Sequence, residues 1–363
     1  MMMHRLLRLT GRCRSGLLGL LLAPCLALAQ APAMPSDVYM YRGPDREQRL
    51  LAGAGKEATV VLYTSLNVKD SLPIIQAFEK KYKKYGLKVS MWRASGEKVV
   101  QRALTEARAG RYAPDVLESD DVEMEILHRE KLLAEFYSPA SKHIPASAVP
   151  PHREYVPDRF NFFTIAYNTN LVKPDQVPNS YDDLLKPRWA GKICIEAGDI
   201  DWFGGLVKSM GEEKGMAFFQ KLAASHPQIR TGHTLISELV AAGEIPIAAD
   251  IYNHAVEHLE KKGAPIKWKA LTPTMARSGA IGLARRAPHP YAALLFADFM
   301  LSRQGQELIK KRNRIPASDE VDSPLNKFEY RMIDPAVVLD ESAKWKKLWS
   351  DLFLKDASVA AKP

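Results

Sequence analysis

The sequence predicts a secreted α/β protein of two lobes, each a mostly parallel sheet flanked by helices, with a ligand cleft between the lobes. Three observations support this prediction. The chain begins with the pattern of a secretory signal, it continues as a regular alternation of strand and helix patterns, and a proline-rich stretch interrupts that alternation once. A chain of 363 residues is also long enough to bury two separate cores.

Residues 1–29 have the order of a cleaved signal peptide. Four arginines precede an apolar run over residues 16–28, and the motif Ala27-Leu28-Ala29 then offers a small-x-small cleavage site. The apolar run is too short to cross a bilayer, so we expect export and release of a mature chain that begins at Gln30. Tethering through a lipid on Cys25 is the alternative, and Pro24 stands where a lipidation motif needs a small, flexible residue.

Charge and cysteine content narrow the possible functions. Loss of the four signal-peptide arginines lowers the formal net charge from +9 to about +5, and the remaining charges are scattered along the chain. We therefore expect no nucleic-acid partner. Cys194 is the one cysteine of the mature chain, which excludes an intramolecular disulfide, so stability must come from core burial.

The first lobe is predicted from residue 58 onward, after a loose lead-in over residues 30–57 with one short helix. The β-branched run over residues 59–63 is typical of a strand buried on both faces. A helix capped by Ser71 follows, because Ile74, Ile75, Phe78 and Tyr82 recur at helical spacing. The further predicted elements are strands 87–92 and 115–118 and helices 97–109 and 122–133.

A connector is predicted over residues 138–159, which contain five prolines and no periodicity. The alternation then resumes, as a mostly parallel sheet requires. The predicted strands are 162–167, 192–196, 245–250, 266–271 and 279–284. The predicted helices are 181–185, 202–210, 215–224, 234–242, 253–262, one long helix 290–312, and 342–353 in the tail.

The connector and a return crossing near residues 271–278 divide the mature chain into lobes. Lobe 1 is predicted from residues 58–153 and 276–363, and lobe 2 from residues 154–275. Open parallel sheets bind ligands beyond the carboxyl ends of their strands. Two such sheets that face each other form a cleft that closes on a small solute by hinge motion, and we expect the protein to act as a monomer.

Acidic residues follow several predicted strands and indicate a cation site in this cleft. They are Glu118, Asp120 and Asp121 after one strand, Glu196, Asp199 and Asp201 after another, and Asp250 with Tyr252 after a third. Carboxylate and phenolate oxygens are the ligands that hard cations such as Fe(III) prefer. The alternative is that the acids are helix N-caps, above all Asp121 and Asp201, and that the Tyr252 ring packs under a helix.

Other residues indicate an anion. Thr64-Ser65, Ser95-Gly96 and Thr231-Gly232 lie at predicted helix starts, where backbone N–H groups and the helix dipole attract negative charge. The alternative for Ser95-Gly96 is a plain capping role. Arg93 and Arg277 are expected to flank the cleft, where Arg277 either contacts the ligand or pairs with an acid across the hinge. Trp202 either stacks on an organic ligand or an amine, or begins a buried helix. The motifs GxSxG and HExxH and a P-loop are all missing from the sequence, so we expect no enzyme.

Several segments resemble the substrate-binding proteins of ABC importers, within the type II periplasmic fold. They are VVLYTSLNVKDSLPIIQAFEKKY, SGEKVVQRALTEARAGRYAPDVLESD, FFTIAYNTNLV, ELVAAGEIPIAADIYNHAVEHL, ALLFADFMLSRQGQELI and NRIPAS. The branch that they resemble most is the ferric-iron-binding, transferrin-like group, which also includes receptors for small anions. The resemblance implies a periplasmic receptor that delivers its solute to an ABC permease.

The resemblance also implies site residues. Asp120 matches a metal-binding carboxylate, and Tyr252 matches one of two consecutive tyrosines, while Ile251 stands in place of the other. Asn67 stands near a position where some members have a histidine. Fe(III) would be the transported ligand and not a catalytic cofactor; a small organic or phosphorylated anion and a cationic amine are the alternatives. The candidate ligand contacts are Thr64, Ser65, Asn67, Ser95, Gly96, Asp120, Asp199, Trp202, Tyr252 and Arg277.

Overall fold

The computed structural model describes residues 35–354, so the predicted signal peptide, the cleavage before Gln30 and the residue Cys25 lie outside it. The helices are α1 (Pro35–Tyr39), α2 (Arg46–Glu57), α3 (Val68–Lys81), α4 (Gly96–Arg108), α5 (Asp121–Arg129), α6 (Tyr181–Leu184), α7 (Ile200–Met210), α8 (Glu212–Ala224), α9 (His233–Ala242), α10 (Asn253–Glu260), α11 (Pro290–Leu301), α12 (Arg303–Lys311), α13 (Pro335–Asp340) and α14 (Ser342–Trp349). The strands are β1 (Thr59–Thr64), β2 (Lys88–Arg93), β3 (Val116–Asp120), β4 (Leu133–Ala134), β5 (Tyr155–Asn168), β6 (Ile193–Glu196), β7 (Gln228–Arg230), β8 (Ile247–Tyr252), β9 (Ile266–Lys269), β10 (Thr274–Ala284), β11 (Ile315–Pro316) and β12 (Tyr330–Met332).

The strands of the described chain form one continuous sheet in the order β2-β1-β3-β10-β5-β8-β6-β7. Strands β1, β2 and β3 are parallel to one another, as are β6, β7 and β8, while β5 and β10 run antiparallel to their neighbours in this order. The short strand β12 pairs with β10 in parallel. Each half of the sheet is therefore a parallel unit, and the antiparallel pair of long strands joins the two halves.

Strand β5 belongs to both halves. Its residues up to Phe162 pair with β10, and its residues from Phe163 onward pair with β8 and β9. The burial of its backbone on both sides explains why nearly every residue of Tyr155–Asn168 is buried. The strand begins at Tyr155, inside the predicted connector 138–159. Periodicity did not reveal this start, because a strand that is covered on both faces needs no alternation of apolar and polar residues.

Hydrophobic residues form separate clusters in the two halves. One cluster joins β1, β3, α3 and α11 around Phe78, Phe296 and Phe299. A second joins β6, α7 and α8 around Phe203 and Phe219, and a third covers the opposite face of the second half, with α9 and α10. We call the half around the first cluster the first lobe and the half around the other clusters the second lobe.

The tail differs from the prediction that residues 276–363 belong to lobe 1. Trp345, Trp349 and Phe353 lie in the second cluster, where the rings of Trp345 and Trp349 contact Phe203 at centroid distances of 5.6 and 5.5 Å. The tail thus completes the core of the second lobe. Spacing of apolar residues predicted the helix but not the surface on which it packs.

Two local predictions were wrong for identifiable reasons. The described part of the lead-in, residues 35–57, is not loose, because α2 is a 12-residue helix whose Arg46 forms an ion pair of 2.6 Å with Asp298 of α11. The long helix 290–312 is broken at Ser302, which has an extended backbone and caps α12 through a bond from the Gly305 N–H (3.4 Å). No helix within residues 35–354 is both long and apolar enough to span a lipid bilayer.

Candidate functional site

Acidic side chains from both lobes converge where β3, β6 and β8 end. We call this group the acidic centre; its members are Glu118, Asp120, Asp121, Glu123 and Asp158 from the first lobe and Glu196, Asp199, Asp201 and Asp250 from the second. Among the described residues, the arginines that form ion pairs with these acids are Arg159 and Arg277. Carboxylates thus outnumber arginines in the cleft, which favours a cationic ligand.

The first-lobe side of the acidic centre is organised by Arg159. This buried guanidinium forms ion pairs with Glu118, with Asp158 at 2.8 Å and with Asp120 at 3.2 Å. Glu118 also accepts a hydrogen bond from the Thr64 hydroxyl. Asp120 is the most exposed of these carboxylates, with 33% of its side chain accessible, so it is the one that faces the cleft.

Arg277 lies in β10, and its guanidinium joins the lobes. It forms a short ion pair of 2.8 Å with Asp201 of α7 and lies 3.6 Å from Asp120 of β3. Asp121 and Glu123 of α5 are slightly farther away, at 3.8 and 3.9 Å. Asp121 and Asp201 also lie in the first turns of α5 and α7, where each carboxylate accepts a hydrogen bond of 3.0 Å from the N–H of the next residue. Both a helix-start role and an interaction with Arg277 therefore apply to these two acids.

Burial raises the pKa of several carboxyl groups in the acidic centre. It raises the pKa of Asp121 to about 6 and that of Glu123 to about 7, against the opposing effect of Arg277. Burial also raises the pKa of Asp199 and Asp250 well above the usual range. The neighbouring carboxylates of Asp201 and Glu196 raise the pKa of Asp199 further, and Asp199 raises that of Asp250. A bound cation would remove this repulsion.

A group of possible metal ligands lies on the second-lobe side. One ligand atom each from Glu196, Asp199 and His233 lie within 4.8 Å of one another. The His233 Nε2 lies 3.3 Å from a carboxylate oxygen of Asp199, while the other oxygen of Asp199 is buried without a hydrogen-bond partner in the described structure. Glu196 is held in place because its carboxylate accepts hydrogen bonds from the N–H groups of Gly198 and Gly232.

Tyr252 ends β8 beside this group. Its ring lies 4.0 Å from the ring of His233 and 5.0 Å from that of Phe163, measured between centroids. Burial raises the pKa of the phenol well above its usual range, Arg277 opposes the shift, and Asp199 adds to it. The phenol is therefore protonated until a cation displaces the proton, as a ferric ion does when it binds a phenolate.

The polar groups of the predicted turn after β1 are used in hydrogen bonds within the protein. Thr64 is 1% exposed and its hydroxyl is used internally, by Glu118 and by the N–H of Leu66 (2.9 Å). The Ser65 carbonyl and the Asn67 side-chain oxygen each accept a hydrogen bond of 3.2 Å from Arg93. The expected ligand contact of Thr64 is thus corrected to a structural role, because a buried hydroxyl needs a partner inside the protein.

The turn before α4 combines an exposed serine with a closely packed glycine. Ser95 is exposed at the N-cap position, but its side chain makes no capping hydrogen bond. A Cβ atom on Gly96 would come within 2.7 Å of the Ser119 hydroxyl and 2.9 Å of the Glu123 carboxyl carbon. Glycine is therefore required at residue 96 by the close approach of α4 to the acidic centre.

Trp202 is corrected from a cleft contact to a core residue. It is fully buried, and its ring packs edge-to-face on Phe219 at 5.2 Å between centroids. The sequence left this alternative open, since an aromatic residue after a strand often begins a buried helix. Asp201 and Trp202 are neighbours on α7, and adjacent residues of a helix point in different directions.

Sequence reasoning did not assign His233 and His254 to the site. His233 and His254 are not spaced like two metal ligands on one face of a helix, so no local motif identifies them. The His254 ring stacks 5.6 Å from Tyr252, and its Nε2 accepts a hydrogen bond of 2.6 Å from Arg314 of the first lobe. The position of Gly232-His233 at a helix start was the available signal, and it was interpreted as an anion turn.

Comparison with known proteins places the chain in a family. Residues 114–335 match the family of bacterial extracellular solute-binding proteins. Iron uptake protein A1 of Synechocystis sp. is 25% identical over 284 residues, which cover 71% of this chain and 75% of that protein.

Solved structures share the fold. Iron-bound HitA from Pseudomonas aeruginosa superposes with a TM-score of 0.70 at 20% identity, over 82% of this chain and all 100% of HitA. The periplasmic binding protein AfuA from Actinobacillus pleuropneumoniae, with exogenous fructose-6-phosphate bound, has a TM-score of 0.67 at 20% identity, over 81% of this chain and 98% of AfuA. The predicted two-lobed binding-protein fold is confirmed, and the chain belongs to the bacterial extracellular solute-binding protein family.

Proposed function

We propose that this protein is the periplasmic solute-binding component of an ABC importer and that its cargo is ferric iron, bound as the ion or with a companion anion. The similarity to iron uptake protein A1 and to iron-bound HitA supports this cargo. The observation that carries it is the position of Tyr252 beside the donors Glu196, Asp199 and His233. Phenolate, carboxylate and imidazole are suitable ligands for Fe(III).

Closure of the cleft follows from where the donors lie. Tyr252, Asp199 and His233 belong to the second lobe, and Asp120 belongs to the first. A cation that binds both sides stabilises the closed arrangement over the open one, and the permease then recognises the closed shape. Strands β5 and β10 join the lobes and are the natural site of bending. Small-angle scattering should therefore give a smaller radius of gyration with the cargo than without it.

The test uses the colour of ferric phenolate. Wild-type protein incubated with ferric citrate and desalted should retain iron and absorb visible light. Tyr252→Phe should lose the absorption band and bind iron at least tenfold more weakly, which corresponds to about 1.4 kcal/mol. Tyr63→Phe is the matched control, because that phenol binds Glu106 in the first lobe, away from the acidic centre. Wild-type protein that stays colourless and free of metal would end the iron proposal.

A small organic or phosphorylated anion is the second candidate cargo, which AfuA with its bound fructose-6-phosphate makes worth testing. Asp120 separates the candidates. Asp120→Ala removes a donor and should weaken iron binding, whereas it removes a like charge and should strengthen binding of an anion. Isothermal titration of this variant with ferric citrate and with fructose-6-phosphate gives opposite signs for the two cargoes.

A further inference from the structure

The first lobe has a cavity of its own, separate from the cleft between the lobes. Its volume of about 430 Å³ is in the range of small-ligand pockets. We call it the outer pocket. It is lined by α4 between residues 103 and 108, by the following loop between residues 111 and 114, by Leu117 of β3, by residues 130–132 after α5 and by residues 284–286 at the end of β10.

The outer pocket is remote from Arg277 and belongs to one lobe. Arg277 and Ala284 both lie on β10 and are seven residues apart, which is roughly 24 Å at about 3.4 Å per residue. Ala103, Leu117 and Ala284 are all members of the first-lobe hydrophobic cluster. A ligand in the outer pocket would therefore contact the first lobe alone.

The floor of the outer pocket is apolar. Leu117 is 1% exposed and belongs to the core, while Leu104 and Leu132 are half-buried and pack against that core. Pro114 completes this surface. Partly exposed apolar side chains in a concave site favour a ligand with an apolar body, because its binding removes their surface from water.

The charge of the outer pocket is strongly positive. Its basic side chains are Arg108, Arg111, Lys131, Arg285 and Arg286, and its one acidic side chain is Glu130. Arg285 pairs with Glu154 at 2.9 Å. The other four cations have no acid within salt-bridge distance in the described part of the chain. The pocket therefore keeps a surplus of positive charge that an anionic group on a ligand would neutralise.

Arg286 is held in position by an aromatic ring of the pocket. Its guanidinium carbon lies 4.6 Å from the ring centroid of Tyr112, which is a cation–π contact. Stacking uses the face of the guanidinium and leaves its N–H groups available in the plane. Those N–H groups form a fork that matches the two oxygens of a carboxylate.

We propose that the outer pocket binds a small organic anion with one carboxylate on an apolar body. The body lies on Leu104 and Leu132, and the carboxylate accepts hydrogen bonds from the arginines, above all from Arg286. A concave pocket of this volume encloses a single small molecule, whereas a membrane surface is flat. The geometry therefore favours a free carboxylic acid over a lipid bilayer as the source of this chemistry.

Binding in the outer pocket should be independent of the metal. A ligand that contacts one lobe makes the same contacts in the open and closed arrangements, and a ligand with equal affinity for two states does not shift their populations. The affinity for ferric ion should therefore change less than about twofold when the outer pocket is filled. The inference does not rest on the proposed cargo.

The experiment titrates metal-free protein by isothermal calorimetry with three probes. Octanoate carries both the apolar body and the charge, acetate carries the charge alone, and 1-octanol carries the body alone. Octanoate should bind about tenfold or more tightly than either of the others, because only octanoate uses both the floor and the arginines. Its affinity should fall as sodium chloride is raised, since the arginines are exposed.

Two variants test the two parts of the outer pocket. Arg108→Gln/Arg286→Gln should bind octanoate about tenfold more weakly and bind 1-octanol like the wild type. Ala107→Trp fills the pocket from α4 without changing its charge and should weaken the binding of both probes. The matched control for charge is Arg188→Gln/Arg303→Gln, which removes two exposed arginines outside the pocket and should bind octanoate like the wild type.

The inference is overturned if metal-free wild-type protein does not bind octanoate, or if acetate binds as tightly as octanoate. Equal affinity of the Arg108/Arg286 variant and the control variant would overturn it as well. Sedimentation with phosphatidylglycerol vesicles tests the flat alternative: association with vesicles without binding of octanoate would replace the pocket by a membrane contact. The visible band with ferric ion is measured on the same samples and decides the iron cargo separately.

Discussion

The acidic centre and a second pocket between the lobes, which we call the basic groove and whose cations include Lys69, Lys262 and Lys311, are neighbouring parts of one cleft. They differ in burial as well as in the sign of their charge. Asp199 and Asp250 are 4% and 0% exposed, whereas Lys69, Lys262 and Lys311 are exposed. Buried charges interact strongly and shift their pKa values, while exposed charges are screened by salt. The charges of the acidic centre therefore depend on burial, whereas those of the basic groove depend on the salt concentration.

The largest expected effect on binding is a loss of metal affinity in a variant of the acidic centre that leaves the basic groove unchanged. The double variant Glu196→Gln/Asp199→Asn removes two candidate donors and should lower the affinity for ferric ion at least a hundredfold, or about 2.7 kcal/mol. Citrate binding to the metal-free protein should change less than twofold, because neither residue lines the basic groove. Competition against a coloured iron chelator gives the first affinity and calorimetry the second.

The control for that variant is Asp340→Asn, which changes a carboxylate whose side chain is 63% exposed and which pairs with Arg129. It should leave both affinities unchanged. Equal loss of iron and citrate binding in the donor variant would show that the two parts of the cleft act as one site, and the comparison would fail.

A second effect concerns stability and pH. Asp158 is fully buried, and burial raises its pKa from 3.8 to about 7 even though Arg159 opposes the shift. Between these values the folded protein keeps a proton that the unfolded chain releases, so the free energy of unfolding falls as pH rises from about 4 to about 7. At about 1.4 kcal/mol per pKa unit, the difference between 3.8 and about 7 corresponds to about 4 kcal/mol of this fall.

Asp158→Asn should remove that part of the pH dependence. Urea unfolding of metal-free protein at pH 5 and pH 7.5 measures it, and the wild type should be the more stable at pH 5. A variant with the same dependence on pH as the wild type would mean that Asp158 is already ionised at pH 5.

The smallest effect tests the turn that the sequence assigned to an anion. Gly96→Ala places a methyl group against Ser119 and Glu123 and should cost about 1 kcal/mol of stability. Ser95→Ala should change stability by less than about 0.5 kcal/mol, since this exposed side chain makes no cap. Neither variant should alter citrate binding, whereas Lys69→Gln/Lys262→Gln in the basic groove should weaken it. Loss of citrate binding in Ser95→Ala would place the anion at the start of α4 instead.

Local sequence patterns were sufficient to predict most helices and strands and the two-lobed fold. The β-branched run that became β1 and the apolar spacing that became α3 are local signals, because strand and helix periodicity are written along the chain. The same patterns could not place the tail, since Trp345 and Trp349 complete a core that includes Phe203 and Phe219, more than a hundred positions away in the chain.

The sequence by itself determined which residues follow strand ends, and it therefore named Asp120, Asp199 and Tyr252 as candidates for the cleft, with Arg277 in the return crossing between the lobes. Only the tertiary structure decided which of these side chains meet. It joined His233 to Glu196 and Asp199, buried Trp202 in the core, enclosed Thr64 with Glu118, and brought lysines from opposite lobes into one groove. The physical reason is that charge pairing and burial depend on distances between segments that are remote in the chain, and no local periodicity contains those distances.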